Sequence, residues 1–334
     1  MLKDGSTVKV EGSPEDFLQT VKDSEFSWIN TQVNDLKEDG SRVASMLGFS
    51  PSVIHELVSQ RFSGYDDQIT ELGLLLPAVH VSELEVEINQ LIILIKKNLV
   101  VTIHTQKITR LIRFARYAVT FFKKIPKNLE SNDKMTLVLI RILDENNERN
   151  FDGIRSIQGQ GEQISKYLIE TKGFRQQLGT DIYKMKHALI TYLEALWASL
   201  DVMHYLRYGD AEMITDDSSI LRKVGMLSND LTRQISISEQ MSSVLASGLE
   251  VMQSIYNNQL TILNNRISLL AVWLAVLGTA FIVPNTIATI LGTAIGEHIE
   301  WRIQLVIVIA TTLLSVLIAF WVVNKKALLP PKAD

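Results

Sequence analysis

Hydrophobic and polar positions pass through three rhythms along this chain. From about residue 6 to 105 they alternate between strand and helix signals. Ser6-Thr-Val-Lys-Val10 alternates at period two, and Phe26-Ser-Trp-Ile29 is a short apolar run; both read as strands. Ser50-Pro51 followed by Val53, Leu57 and Val58 marks a helix start with proline at the first helical position. Leu72 to Val81 is aliphatic, and Leu91–Ile95 and Leu99–Ile103 flank the turn signal Lys96-Lys-Asn98, which predicts a β-hairpin. Glu83, Glu85 and Glu87 alternate with Leu84, Val86 and Ile88, the pattern of a half-buried strand with a solvated face.

After Thr105 helical periodicity takes over. Leu137, Leu139, Ile140 and Leu143 form one stripe; Ile182, Met185, Leu189, Leu193 and Leu196 form another at steps of three and four. Tyr208-Gly209-Asp210 and Asp216-Asp217-Ser218-Ser219 mark a break. A last long helix is predicted from Ser218 or Ser219, with no proline before Pro284, carrying Leu227, Leu231, Ile235, Leu245, Leu249, Met252 and Ile255 as an apolar stripe. Ser236, Ser238, Ser242, Ser243 and Ser247 are small residues suited to close helix packing.

The third rhythm is unbroken hydrophobicity. Ile267–Gly296 and Ile303–Val323 carry no charge, and each is long enough to cross a bilayer. The expected fold class is therefore a mixed α/β cytoplasmic domain, then a long helix continuous with the first of two transmembrane helices. Its parts are residues 1–105 (α/β), 106–217 (helical), 218–296 (stalk helix and first span), 297–302 (extracytoplasmic link), 303–323 (second span) and 324–334 (basic tail). No Gly/Ser-rich linker separates the soluble and membrane parts, so mechanical coupling is expected.

Composition narrows the chemistry. The 334 residues carry a net charge of −4, which gives no basic excess for nucleic acid, and there is no cysteine, so no thiolate metal site or disulfide. Met1 to Glu11 is polar and lacks the apolar core of a signal peptide, so the soluble part is expected in the cytoplasm. Arg266 before the first span and Lys325, Lys326 and Lys332 after the second put both termini on the cytoplasmic side of the cell membrane. No phosphate-binding loop, HExxH or nucleophile elbow occurs, and Gln158-Gly159-Gln160-Gly161 lies in a helical region, so an enzyme is not expected.

Taken in order, several segments resemble one family. Phe26-Ser-Trp-Ile29, Leu47-Gly-Phe-Ser-Pro51 with His55-Glu56, Gly64-Tyr-Asp-Asp67, Asn98-Leu-Val-Val-Thr-Ile-His104, Asn257-Asn-Gln-Leu260 with Ser268, and Phe281-Ile-Val-Pro284 are similar to segments of the CorA-type divalent-cation transporters. The resemblance covers nearly the whole chain. It implies a funnel-shaped homopentamer in a lipid bilayer that passes divalent cations, with magnesium as the default ion and cobalt, nickel or zinc as alternatives. The family usually ends its first span in Tyr-Gly-Met-Asn, whose asparagines ring the pore mouth. Counted from Pro284, the corresponding residues are Leu291-Gly292-Thr293-Ala294, which keep the glycine and not the asparagine. The family's regulatory aspartate at the start of the long helix corresponds to Lys223 here.

Candidate site residues fall in three groups. Gly278, Asn285 and Gly292 are seven apart, and so are Thr279, Thr286 and Thr293, so each set lies on one helix face; with Thr289 they are candidate pore-lining residues. The other reading of such a face is close helix–helix packing. Asn285 favours a pore, because a carboxamide at membrane depth needs a partner or water. Glu297, His298 and Glu300 in the link would concentrate cations at a pore entrance, or simply solvate a loop. His298 could also ligate zinc or titrate near neutral pH. In the cytoplasmic part, the resemblance makes His80 and Glu83 candidate regulatory ligands, and Asp230 is a candidate to replace the carboxylate missing at Lys223. Two other functions remain open: a channel of different selectivity or a membrane scaffold that has lost divalent transport, and zinc transport as in the related ZntB group.

Overall fold

The computed structural model describes residues 1–170, 176–208, 211–293 and 299–325. It divides into two units, Met1–Gly248 and Leu249–Asp334.

The first unit is built on a five-stranded sheet in the order β1-β5-β4-β3-β2, with β1 Ser27–Gln32, β2 Gly64–Asp67, β3 Glu71–Ser82, β4 Glu85–Lys96 and β5 Leu99–His104. Only β1 and β5 run parallel; the other neighbours are antiparallel. The hairpin at Lys96↔Leu99 is closed by two residues, and Asn98 takes a positive φ of 67°, the left-handed region that asparagine tolerates. β3, β4 and β5 are buried on both faces for much of their length, hence their unbroken aliphatic runs.

On one face Ile29, Leu75, Ile92, Leu94, Val101 and Ile103 pack against α2 (Glu38–Met46) and α3 (Pro51–Ser59) through Val43, Leu47, Val53, Ile54 and Leu57. Gly73 permits this approach: a Cβ there would stand 2.5 Å from Val53 Cγ1 and 2.7 Å from Leu57 Cδ1. On the other face lie α4 (Thr109–Phe122), α5 (Ser131–Asn147), α6 (Asn150–Glu170) and α7 (Gln176–Arg207). Of the expected stripes, Leu139, Ile140, Leu143, Ile182, Met185, Leu189 and Leu196 are buried, while Leu137 and Leu193 are half-buried.

Two local expectations change. Ser6–Val10 is not a strand: Val8 and Val10 are 56% and 47% exposed, and the segment pairs with no strand. It precedes α1 (Pro14–Asp23), whose start is set by Ser13 and Asp16 in a capping box. Glu83 is not a strand residue either. It sits with Leu84 in the two-residue turn between Ser82 and Glu85, at a φ of 56°, while Glu85 and Glu87 keep the solvated face of β4.

α8 runs from Ser218 to Leu291 and contributes residues to both units. Within the first unit it buries Ile220, Val224, Leu227, Leu231 and Ile235. In the second unit the rest of α8 and α9 (Trp301–Lys325) carry the two apolar stretches, each long and apolar enough to cross a membrane.

Candidate functional site

Along α8 from Leu269 to Leu291, seven residues are not exposed: Leu269, Trp273, Val276, Ala280, Pro284, Ile287 and Leu291. At about 100° per residue they fall within about 40° of Ala280 around the helix axis. α9 shows a matching stripe at Gln304, Ile307, Val308, Thr311, Thr312, Ser315, Ala319, Val322 and Val323. Such paired stripes are what two helices leave where they lie side by side.

The predicted pore residues lie on the other side of α8. Gly278, Thr279, Asn285, Thr286, Thr289, Gly292 and Thr293 are all exposed. By the same rotation Gly278, Thr279, Asn285, Thr286 and Thr289 sit about 100–180° from Ala280, with Thr289 diametrically opposite, while Gly292 and Thr293 follow the last residue of the helix. The structure thus brings the five helical ones to one uncovered face, separate from the apolar stripe that the unit covers itself. Pro284 lies in the covered stripe; having no N–H, it leaves the Ala280 carbonyl without its helical donor beside Asn285.

The threonines have a definite orientation. Thr279 Oγ1 donates to the Val276 carbonyl at 2.9 Å, Thr286 to Ile282 at 2.8 Å, Thr289 to Asn285 at 2.7 Å and Thr293 to Ile290 at 2.6 Å. Each hydroxyl spends its single hydrogen on its own helix, so what it offers outward is oxygen lone pairs. A face of carboxamide and hydroxyl oxygens with no fixed charge suits cations or water and repels neither.

Glu297 and His298 lie outside the described residues. Glu300 is exposed and immediately precedes α9, its carbonyl accepting the N–H groups of Ile303 at 2.9 Å and Gln304 at 3.2 Å. It therefore opens the helix and also presents a carboxylate at the edge of the second span.

The candidates of the first unit, His80, Glu83 and Asp230, are not brought together, and among the described residues no group of three or more acidic or histidine side chains is placed to hold a metal. His80 on β3 is paired across the sheet with Glu87 and lines a cavity together with Arg110 and Arg149, two guanidiniums that oppose a metal cation there. Glu83 is in the β3–β4 turn. Asp230 is exposed on α8, close enough to Asp144 to affect its titration: burial raises the Asp144 carboxyl above its ordinary range, Arg141 opposes this, and Glu145, Glu148 and Asp230 add to it. The cavity at Arg110 and Arg149 escaped the sequence reading because its residues are scattered over four elements and share no spacing.

The comparisons with known proteins agree with this architecture. The family described as CorA-like Mg2+ transporter protein matches residues 23–326. The chain belongs to that family. It is therefore a membrane protein of an ion-transport family, and its two apolar helices are the spans. No curated protein matches it by sequence. Among solved structures it is similar to the complete CorA magnesium transporter of Methanocaldococcus jannaschii, at 18% identity and a TM-score of 0.68, covering 95% of this chain and 93% of that one. The soluble domain of the same CorA matches at 20% identity and a TM-score of 0.61, over 75% of this chain and 95% of that one. The ZntB cytoplasmic domain of Vibrio parahaemolyticus is similar at 13% identity and a TM-score of 0.53, over 69% of this chain and 88% of that one. At these identities the likeness is one of fold: the sheet domain, the long helix and, for the complete CorA, the C-terminal apolar helices.

Proposed function

We propose that the chain assembles as a homopentamer in the cell membrane, both termini cytoplasmic, and conducts divalent cations, magnesium first, down their electrochemical gradient. The observation that carries this reading is the rotation of α8: the Gly, Asn and Thr face of the first span is turned away from the stripe its own unit covers. One copy cannot enclose a path, so that face must meet other copies, and closed cyclic symmetry is the usual arrangement. Asn285, Thr286 and Thr289 then present rings of neutral oxygen dipoles. These suit a cation that keeps its water shell, as magnesium does because it dehydrates reluctantly. Gly278 and Gly292 keep the path wide, Thr279 and Thr293 extend the oxygen lining, and Glu297, His298 and Glu300 attract cations to the entrance. An inside-negative potential contributes about 2.3 kcal/mol per charge per 100 mV, so uptake needs no ATP and no enzymatic step.

The test is flux in liposomes holding a divalent-sensitive dye, challenged with magnesium, cobalt, nickel and zinc in turn. Saturable entry reduced by Asn285→Ala is expected; entry unaffected by Asn285→Ala and Asn285→Leu contradicts the assignment of the lining. A second reading is favoured by one fact: the chain contains no Gly-Met-Asn tripeptide. On that reading the pore has another selectivity: none of the four divalent ions enters, and liposomes holding a monovalent-sensitive dye report entry instead.

A further inference from the structure

A cavity of about 160 Å3 opens between the end of β3, α4, the junction of α5 and α6, and α7. It lies in the first unit and has no part in the ion path proposed above. Arg110 of α4 reaches into it half-buried. Its guanidinium donates to the Asn146 carbonyl, to Asn150 Oδ1 at 3.2 Å and to the Val79 carbonyl at 2.8 Å. A guanidinium has five N–H donors, so three are used and every acceptor is neutral. Among the described residues no carboxylate bonds to it; burial lowers the Arg110 pKa from its ordinary value and Arg149 lowers it too, while Tyr192 and Glu148 only partly oppose this.

The surroundings add positive charge. Arg149 is exposed at the rim; among the described residues it forms no ion pair, and the His80 ring there makes no hydrogen bond with any of them. Tyr192 gives its hydroxyl hydrogen to the Asn150 carbonyl, and burial raises its pKa, so it stays neutral. Nearby carboxylates are engaged elsewhere: Glu148 with Arg113 at 2.7 Å, and Glu87 with Lys107. Among the described residues Asp152 is the one carboxylate lining the cavity, it forms no ion pair with them, and its charge opposes the two arginines. The balance is an excess of cationic donors around a small void, and a half-buried charge of this kind is costly without an anion. The volume is below that of pockets for drug-sized ligands, so it admits a phosphoryl group and not a base with its sugar.

We propose that this cavity binds a small oxyanion of the phosphate class, with Arg110 at its floor and Arg149 and His80 at its mouth. Arginine is suited to this because its planar fork matches phosphate oxygens. The anion supplies the missing counter-charge and ties β3, α4, α6 and α7 together at one point. The source is either free phosphate or a phosphomonoester on a larger solute whose remainder stays outside.

The experiment is calorimetric titration of the full-length protein in detergent, metal-free and at constant ionic strength, with sodium phosphate, glycerol 3-phosphate and chloride. Saturable binding of a phosphate species is expected, weakened at least about tenfold by Arg149→Glu and tightened by Asp152→Asn, each an exposed position whose change leaves the fold intact. Tighter binding of phosphate than of glycerol 3-phosphate assigns the free ion, and the reverse assigns an ester. The proposal is overturned if neither saturates, if Arg149→Glu binds as the native chain does, or if chloride competes equally.

Discussion

The two ends of helix α8 differ in what covers their apolar residues. In the first unit Val224, Leu227, Leu231 and Ile235 are all at most 8% exposed, so the chain completes that core by itself. In the second unit Leu270, Leu274, Phe281 and Ile282 are each above 60% exposed. The same residue types at the same helical spacing therefore have two solvents. The first stripe is finished by folding; the second is finished by lipid and, on our reading, by other copies. Stability arguments built on burial apply to the first end and fail at the second, where small and polar residues rather than leucines mark the functional face.

A charge is the strongest way to break this comparison. Leu277→Lys, at a 43% exposed position off the proposed lining, places an ammonium at span depth, at a cost of roughly 2.5–3.5 kcal/mol near a helix centre. We expect loss of membrane-integrated protein on carbonate extraction, whereas Met226→Lys, at a 66% exposed site in the first unit, leaves integration unchanged. Equal integration of both would erase the distinction. Truncation separates the ends next. Leu231→Ala, at a fully buried position, should lower the unfolding free energy by about 2–5 kcal/mol in urea titration followed by Trp fluorescence, while Leu274→Ala in detergent should leave that transition in place.

A smaller effect concerns pH in the first unit alone. His104 is fully buried, and burial lowers its pKa from the ordinary 6.5, against the opposing effect of the Thr105 carbonyl. The folded state therefore holds the ring neutral where the unfolded chain has begun to bind a proton. Stability on this account is fully present above about pH 6.5 and is lost as the pH falls from there through the depressed folded value. Thermal melts at pH 7.5, 6 and 5 should show the decline, and His104→Gln should flatten it; an unchanged slope in the variant would assign the decline to other groups.

Much of the fold could be read from residue order, and the reasons are physical. The β4–β5 hairpin was legible because Lys96-Lys-Asn98 supplies both a polar break and a residue that accepts positive φ. The start of α8 was legible from Asp216-Asp217-Ser218-Ser219: Asp217 Oδ1 accepts the Ser219 N–H at 2.6 Å, a local bond that residue type predicts. Ser6–Val10 misled because two valines at period two make a strand only when a partner strand bonds them. Glu83 misled because its turn contains no glycine, asparagine or proline, so the alternation looked continuous across it. In the span, the seven-residue spacing of Gly278, Asn285 and Gly292 put them on one face. Which face the chain covers was not legible, since Ala280 and Ile287 are no more apolar than the exposed Phe281 and Ile290.

The central claim is that the uncovered face of α8 lines an ion path, and the absence of native cysteine makes it directly testable. Single cysteines placed at each position from Val276 to Thr293 would be treated with a membrane-impermeant thiol reagent during divalent flux into liposomes. Block should occur at Gly278, Asn285 and Thr289 and not at Ala280, Pro284 or Ile287. Block centred on the Ala280 stripe, or flux indifferent to modification at every position, would contradict it.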